Sequence, residues 1–186
     1  ITKELLSIKA QILGETPLSK TPIPKKISKT LREYQREGVH WLDRLRRMHL
    51  NGILADDMGL GKTLQAITAI TQYKKAFPDS TSLVVCPTSL LYNWKAEFSK
   101  FNSEITILIV DGTPTQRKKL LNSLTSYDII ITSYTLLQKD IETYQEIPFG
   151  YAILDEAQHI KNRGTRNAKS VKMINAMHRL ILTGTP

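Results

Sequence analysis

The sequence holds a single cysteine, Cys86, among 186 residues. One thiol excludes an internal disulfide framework and any cysteine-rich zinc site. Set in the apolar run Leu83-Val84-Val85-Cys86, it reads as a small buried hydrophobe. Long apolar runs are also missing: none approaches the ~18 residues of a membrane-crossing helix, and no signal peptide is visible. These absences predict an intracellular protein with no membrane partner. Acidic residues are scarce beside basic ones, 17 Asp and Glu against 26 Lys and Arg, for a formal net charge of +9. Such a surplus points to a polyanionic partner, nucleic acid being the commonest, with a merely basic soluble surface as the alternative. A chain of this length is expected to form one domain that buries ~70% of its unfolded surface. It starts at Ile1 rather than Met and stops at Pro186 just after a strand-like run, so we take it as a piece of something longer.

What is present centres on Ile53-Leu54-Ala55-Asp56-Asp57-Met58-Gly59-Leu60-Gly61-Lys62-Thr63-Leu64. A short apolar run enters a tight turn with two glycines, and Leu64, Ile67 and Ile70 then recur at helical spacing. This is the pattern strand, phosphate loop, helix. Gly59 and Gly61 can adopt backbone angles that let successive N–H groups of residues 57–64 face a phosphate, and the helix N-terminus adds positive dipole there. Lys62 is placed to reach the terminal phosphates and the Thr63 hydroxyl to ligate Mg²⁺. The strict pattern G-x-x-x-x-G-K-[ST] is not met, because Asp56 occupies its first glycine position.

Around this centre, Ile1, Leu5, Ile8 and Ile12 predict a short amphipathic helix ending near Gly14. Pro17, Pro22 and Pro24 mark Glu15 to Lys29 as an extended linker, so that the domain is expected from residue 30 to 186. Leu31, Tyr34, Gly38, Leu42, Leu45 and Met48 trace one face of a helix, with Gln35 beside it. A glutamine just upstream of a phosphate loop can read an adenine edge, since its amide both donates and accepts; a solvated surface glutamine is the alternative. After the loop helix come strands at Ser82–Cys86, Thr106–Val110, Ile129–Thr132, Tyr151–Leu154 and Leu180–Thr183. Helices over Leu91–Phe101, Gln116–Leu124, Leu136–Glu142 and Arg166–Met177 alternate with them. The alternation predicts a doubly wound α/β sheet, mainly parallel, with ligands beyond the carboxyl ends of its strands.

A second anchor follows the apolar run Tyr151-Ala152-Ile153-Leu154: the acidic pair Asp155-Glu156. Opposite a phosphate loop, Asp155 would hold Mg²⁺, and Glu156 would orient and deprotonate an attacking water. Lys161, Arg163, Arg166, Lys169, Lys172 and Arg179 then run with no acid among them, and Arg117, Lys118 and Lys119 form another basic cluster. The first is either a DNA-facing surface or a solvated helix face, and the second is read as a solvated face.

Taken together, these segments resemble the Swi/Snf-like branch of the superfamily-two helicases and translocases. Leu31-Arg32-Glu33-Tyr34-Gln35 with Gly38-Val39 and Trp41-Leu42 is similar to that branch's adenine-reading motif, and Asp56 to Thr63 to its motif I. Pro87-Thr88-Ser89-Leu90-Leu91 with Asn93-Trp94 and Glu97 resembles motif Ia, and Ile131-Thr132-Ser133-Tyr134 motif Ib. Asp155-Glu156-Ala157-Gln158-His159 resembles motif II, and Leu182-Thr183-Gly184-Thr185-Pro186 motif III. One small departure is Asp57, where the family more often has Glu. The resemblance implies a RecA-like ATP-binding lobe of a double-stranded DNA translocase that couples hydrolysis to remodelling of DNA-bound protein complexes. It implies that Gln35 reads adenine, that Gln158 faces the γ-phosphate and the partner lobe, and that Thr183 and Thr185 couple hydrolysis to DNA contact. It further implies a second RecA-like lobe carrying an arginine finger. That group is typically worth ~10³–10⁵ in turnover, so this lobe alone is expected to be nearly inactive. The segments similar to motifs Ia and Ib supply Thr88, Ser89, Asn93, Thr132 and Ser133 as candidates for phosphate contacts, with helix capping as the alternative for the hydroxyl residues. Two other readings share the phosphate loop and acidic pair: a strand-separating helicase, and an ATP-switched interaction module. The family works in prokaryotic cytoplasm and in eukaryotic nuclei, and the compact lobe inclines the expectation to the former.

Overall fold

A computed structural model of the chain describes residues 2–13, 20–55, 61–160 and 165–184. Its elements, in chain order, are α1 (Lys3–Ile12), α2 (Lys25–Ser28), α3 (Glu33–Arg47), β1 (Gly52–Leu54), α4 (Lys62–Ala76), β2 (Ser82–Cys86) and α5 (Leu91–Phe101). There follow β3 (Ile107–Ile109), α6 (Pro114–Leu121), β4 (Ile129–Ser133), α7 (Tyr134–Lys139), α8 (Ile141–Tyr144), β5 (Phe149–Leu154), α9 (Arg166–Met173) and β6 (Ala176–Leu182). The strands form one sheet in the order β1-β6-β5-β2-β4-β3, and every pairing is parallel.

The apolar runs are continuous because this sheet is covered on both faces, as all-parallel sheets are. Along β2, Val84 and Cys86 join the core beneath α3, α4 and α5, where Val39, Ile67, Ile70, Trp94 and Phe98 pack. Leu83 and Val85 point to the opposite core, with Tyr134, Leu137, Tyr144, Val171 and Ile174. The doubly wound α/β reading therefore stands. Cys86 is fully buried, and burial pushes its thiol up to about 12, so it packs as a hydrophobe.

Several boundaries differ from the sequence expectation. Within the expected linker, α2 forms a helical turn with Ile27 fully buried. The Thr21 hydroxyl donates to Asp43 Oδ2 at 2.6 Å, and Gln72 Nε2 donates to the Thr21 and Pro22 carbonyls at 3.3 and 3.2 Å. Pro22 and Pro24 thus lie in a segment joined to α3 and α4, while residues 14–19 of the expected linker lie outside the described residues. Helix α6 stops at Leu121 and α9 at Met173, while β6 begins at Ala176, because backbone pairing with β5 recruits residues that helical spacing alone had assigned to α9. The buried side of α3 carries Gln35, Val39 and Leu42, whereas Tyr34 faces solvent. The apolar face is thus turned by about one residue, and a polar side chain takes the inside position.

Candidate nucleotide-binding site

Parallel pairing in register brings the carboxyl ends of the strands to one rim. Leu54 of β1 lies level with Leu182 of β6, Leu154 of β5 with Ile181 of β6 and Val85 of β2, and Cys86 with Ser133 of β4. The residues that follow (Ala55, Pro87, Tyr134, Asp155 and Thr183) share that rim. One strand, β6, separates the strand entering the phosphate loop from the strand ending at the acidic pair, which sets the two about 10 Å apart at ordinary strand spacing.

On the loop side, Gly61 caps α4 with φ +75°, the left-handed region that glycine enters without strain. Lys62, Thr63 and Leu64 open α4 and are half-buried. Gln35 Oε1 accepts the Arg32 backbone N–H at 2.8 Å, and a Cβ built on Gly61 would stand 1.9 Å from Gln35 Nε2. The glutamine proposed to read adenine is therefore buried against the end of the phosphate loop. The loop residues Asp57, Met58, Gly59 and Leu60 lie outside the described residues, as do Lys161, Arg163 and Thr185. Where α3 meets β1 and α4, the exposed rings of Tyr34 and Trp41 and the side chain of Ile53 border an open cleft of about 440 Å³ that reaches Ala55 and Gln65.

On the acidic side, Asp155 is buried and held at both carboxylate oxygens. Trp94 Nε1 donates to Oδ2 at 2.8 Å, and the Glu156 N–H donates to Oδ1 at 2.9 Å. The Asp155 N–H donates to the Val85 carbonyl at 2.8 Å, and the Tyr134 hydroxyl to the Asp155 carbonyl at 2.6 Å. Burial pushes the carboxyl above the usual carboxylate range, and the Glu156 charge adds to this, while the Trp94 and Glu156 donors and the Lys62 charge pull it down. Glu156 adopts φ +50°, a conformation costly for a residue with a side chain, which turns the chain sharply off the strand. Gln158 Nε2 donates to Glu156 Oε2, and Gln158 Oε1 accepts the Thr183 hydroxyl at 3.1 Å. The Thr183 N–H donates to the Leu54 carbonyl at 3.0 Å. A continuous chain of contacts thus runs from the end of β1 through Thr183 and Gln158 to Glu156.

These residues fit a magnesium ion held jointly with a phosphate. Asp155 is a buried, hard oxygen donor with lone pairs left over, in the electrostatic reach of Lys62. No group of three or more His, Cys, Asp or Glu able to form a metal cage occurs among the described residues; Mg²⁺ is commonly bound by one or two protein oxygens, substrate phosphates and water.

The candidate phosphate-contact residues divide. Thr88, Ser89 and Asn93 are exposed on the turn after β2 and the start of α5, and Arg166 is exposed at the start of α9. Thr132 and Ser133 are instead buried, and Ser133 takes the capping alternative. Thr132 is fully buried and donates to the Val110 carbonyl at 3.0 Å, whereas Ser133 is buried and caps α7 by accepting the Leu136 N–H at 3.3 Å. Arg179 is also turned inward, donating to the Val171 carbonyl at 2.9 Å and to that of Ile174. In the other basic cluster, Arg117 is buried in an ion pair with Asp140 at 2.8 Å, while Lys118 and Lys119 stay exposed.

Sequence spacing missed the roles of Trp94 and Tyr134. The available signal was chemical: an indole on the buried Leu91-Trp94-Phe98 face carries an N–H that needs an acceptor.

An all-parallel sheet with the phosphate-loop glycine, lysine and threonine at one strand end and an Asp-Glu pair two strands away defines a RecA-like P-loop nucleotide-binding lobe. The model of the SNF2-related domain matches residues 34–186, and the chain belongs to that family. It is 41% identical to the TATA-binding protein-associated factor MOT1 of Saccharomyces cerevisiae, over 95% of this chain and 10% of that protein. It is 38% identical to the helicase SWR1 of Candida albicans, over 95% of this chain and 11% of that protein. Among solved structures, the Sulfolobus solfataricus SWI2/SNF2 ATPase core in complex with double-stranded DNA matches with a TM-score of 0.79 at 38% identity, covering 92% of this chain and 34% of that one. The chain thus spans about a tenth of the length of these curated relatives.

Proposed function

We propose that this lobe binds Mg²⁺-ATP and forms half of a DNA-dependent ATPase that moves along duplex DNA and remodels protein–DNA complexes. The observation that carries the reading is the link from Leu54 through Thr183 and Gln158 to Glu156, set opposite Lys62 and Thr63. Lys62 and the N–H groups at the start of α4 bind the phosphates, and Gln35 offers its amide to the base. Thr63 and Asp155 would hold Mg²⁺, which when bound neutralises phosphate charge. Glu156 accepts the proton of the attacking water. Gln158, joined to both Glu156 and Thr183, reports the state of the phosphate to the rim where Thr183 lies. Thr88, Ser89, Asn93 and Arg166 contact DNA phosphates, which positions the lobe without reading sequence. The Sulfolobus core, solved with double-stranded DNA at 38% identity, supports duplex DNA as the partner, and a second RecA-like lobe would complete the site.

The test is ATP turnover by a polypeptide that joins this lobe to a second one, with duplex DNA, single-stranded RNA or neither. Strong stimulation by duplex DNA is expected. Glu156→Gln should abolish turnover while nucleotide binding stays within about twofold. Stimulation by RNA alone, or turnover indifferent to Glu156→Gln, would refute the proposal.

A further inference from the structure

We propose that Trp94 is a positioning residue for the Asp155 carboxylate, fixing its rotation so that it presents a set of lone pairs to the metal. The proposal rests on the reading of Asp155 as a magnesium ligand. Trp94 is 1% exposed, and its indole is a donor with no acceptor capacity. Packing against Phe98, with ring centroids 5.9 Å apart, and among the other apolar residues of α5 would be met by any large hydrophobe. The indole N–H is not explained by packing. It is delivered to Asp155 Oδ2 at 2.8 Å, across 61 residues of sequence and from a helix on one face of the sheet.

A free carboxylate turns about its Cβ–Cγ bond and offers either oxygen in many orientations. Here one lone pair of Oδ2 is taken by Trp94 and one of Oδ1 by the Glu156 N–H, so rotation is pinned. The Tyr134 hydroxyl fixes the same residue's carbonyl at 2.6 Å. The remaining lone pairs are then held in a fixed orientation, on a carboxylate within electrostatic reach of Lys62 at the start of α4. Outer partners of this kind orient the ligands of metal sites, and losing one typically costs ~10–100-fold in metal affinity.

The test uses the full 186-residue chain with Mn²⁺ as the probe ion and ADP as the nucleotide, free Mn²⁺ being read by electron paramagnetic resonance. Trp94→Phe keeps an aromatic ring in the core and removes the N–H, leaving a small cavity where the rest of the indole packed. It should weaken Mn²⁺ binding in the presence of ADP by about tenfold or more, while ADP affinity in EDTA and the circular dichroism spectrum stay as in the parent. Asp155→Asn should weaken Mn²⁺ binding at least as much. If Asp155→Asn has no effect, the metal-ligand reading falls. If Asp155→Asn weakens Mn²⁺ binding and a folded Trp94→Phe does not, the positioning role alone is refuted. A second measurement leaves Trp94 intact: in a Trp41→Phe chain, Trp94 is the sole tryptophan, and diamagnetic Mg²⁺ with ADP should shift its emission. An emission spectrum unchanged at saturating Mg²⁺ and ADP would also overturn the proposal.

Discussion

Replacing Gly61 by alanine separates two costs that meet at one atom. The first is conformational. Gly61 sits at φ +75°, where a side chain costs about 1–2 kcal/mol. The second is steric: the new Cβ would lie 1.9 Å from Gln35 Nε2 and 3.2 Å from its Cδ. Gln35 cannot swing aside freely, since its Oε1 holds the Arg32 N–H at 2.8 Å and closes the cap of α3. Moving it forfeits that cap or crowds the core, about 1–3 kcal/mol. Gly61→Ala is therefore expected to destabilise the fold by about 2–5 kcal/mol, a large part of the 5–15 kcal/mol typical of a domain. Urea unfolding with an unchanged m value measures it. In a Gln35→Ala background the steric part disappears, and the same substitution should cost only about 1–2 kcal/mol. Equal costs in the two backgrounds would refute the claim that Gln35 closes on Gly61.

His178 is buried beside Tyr73, Tyr151 and His49, and burial, with the nearby Arg46 charge, pushes its pKa down to about 4. The unfolded chain binds the proton more readily, so stability is full above about pH 6.5 and is lost as pH falls toward 4; the loss at pH 5 is about 2 kcal/mol. His178→Gln should flatten that part of a stability-versus-pH curve measured by urea unfolding, and an unaltered slope would count against the assignment. Arg117→Ala should cost about 3–5 kcal/mol in unfolding free energy, because it strands Asp140 at a buried ion pair. Duplex-DNA affinity, measured by fluorescence anisotropy well below the transition, should change less than twofold; a larger fall would make Arg117 a DNA contact rather than a staple between α6 and Asp140.

The alternation of apolar runs with helical spacing determined the α/β class, since a chain whose strands lack a polar face must cover both sides of a sheet. The place of Gly61, Lys62, Thr63 and the acidic pair at strand ends was legible for a related reason: glycine, lysine and vicinal carboxylates after apolar strands are the pattern that phosphate and metal chemistry would call for. Burial and pairing were decided only in three dimensions. Thr132 and Ser133 carry the same hydroxyls as Thr88 and Ser89, yet one pair is sealed in the sheet and the other faces solvent. Arg117 and Lys118 are adjacent cations, of which only the first meets a buried carboxylate. Trp94 reaches Asp155 and Thr183 reaches Gln158 because strand order sets β2, β5 and β6 side by side. No local pattern encodes that order, since it follows from how the crossovers pack once both cores have formed.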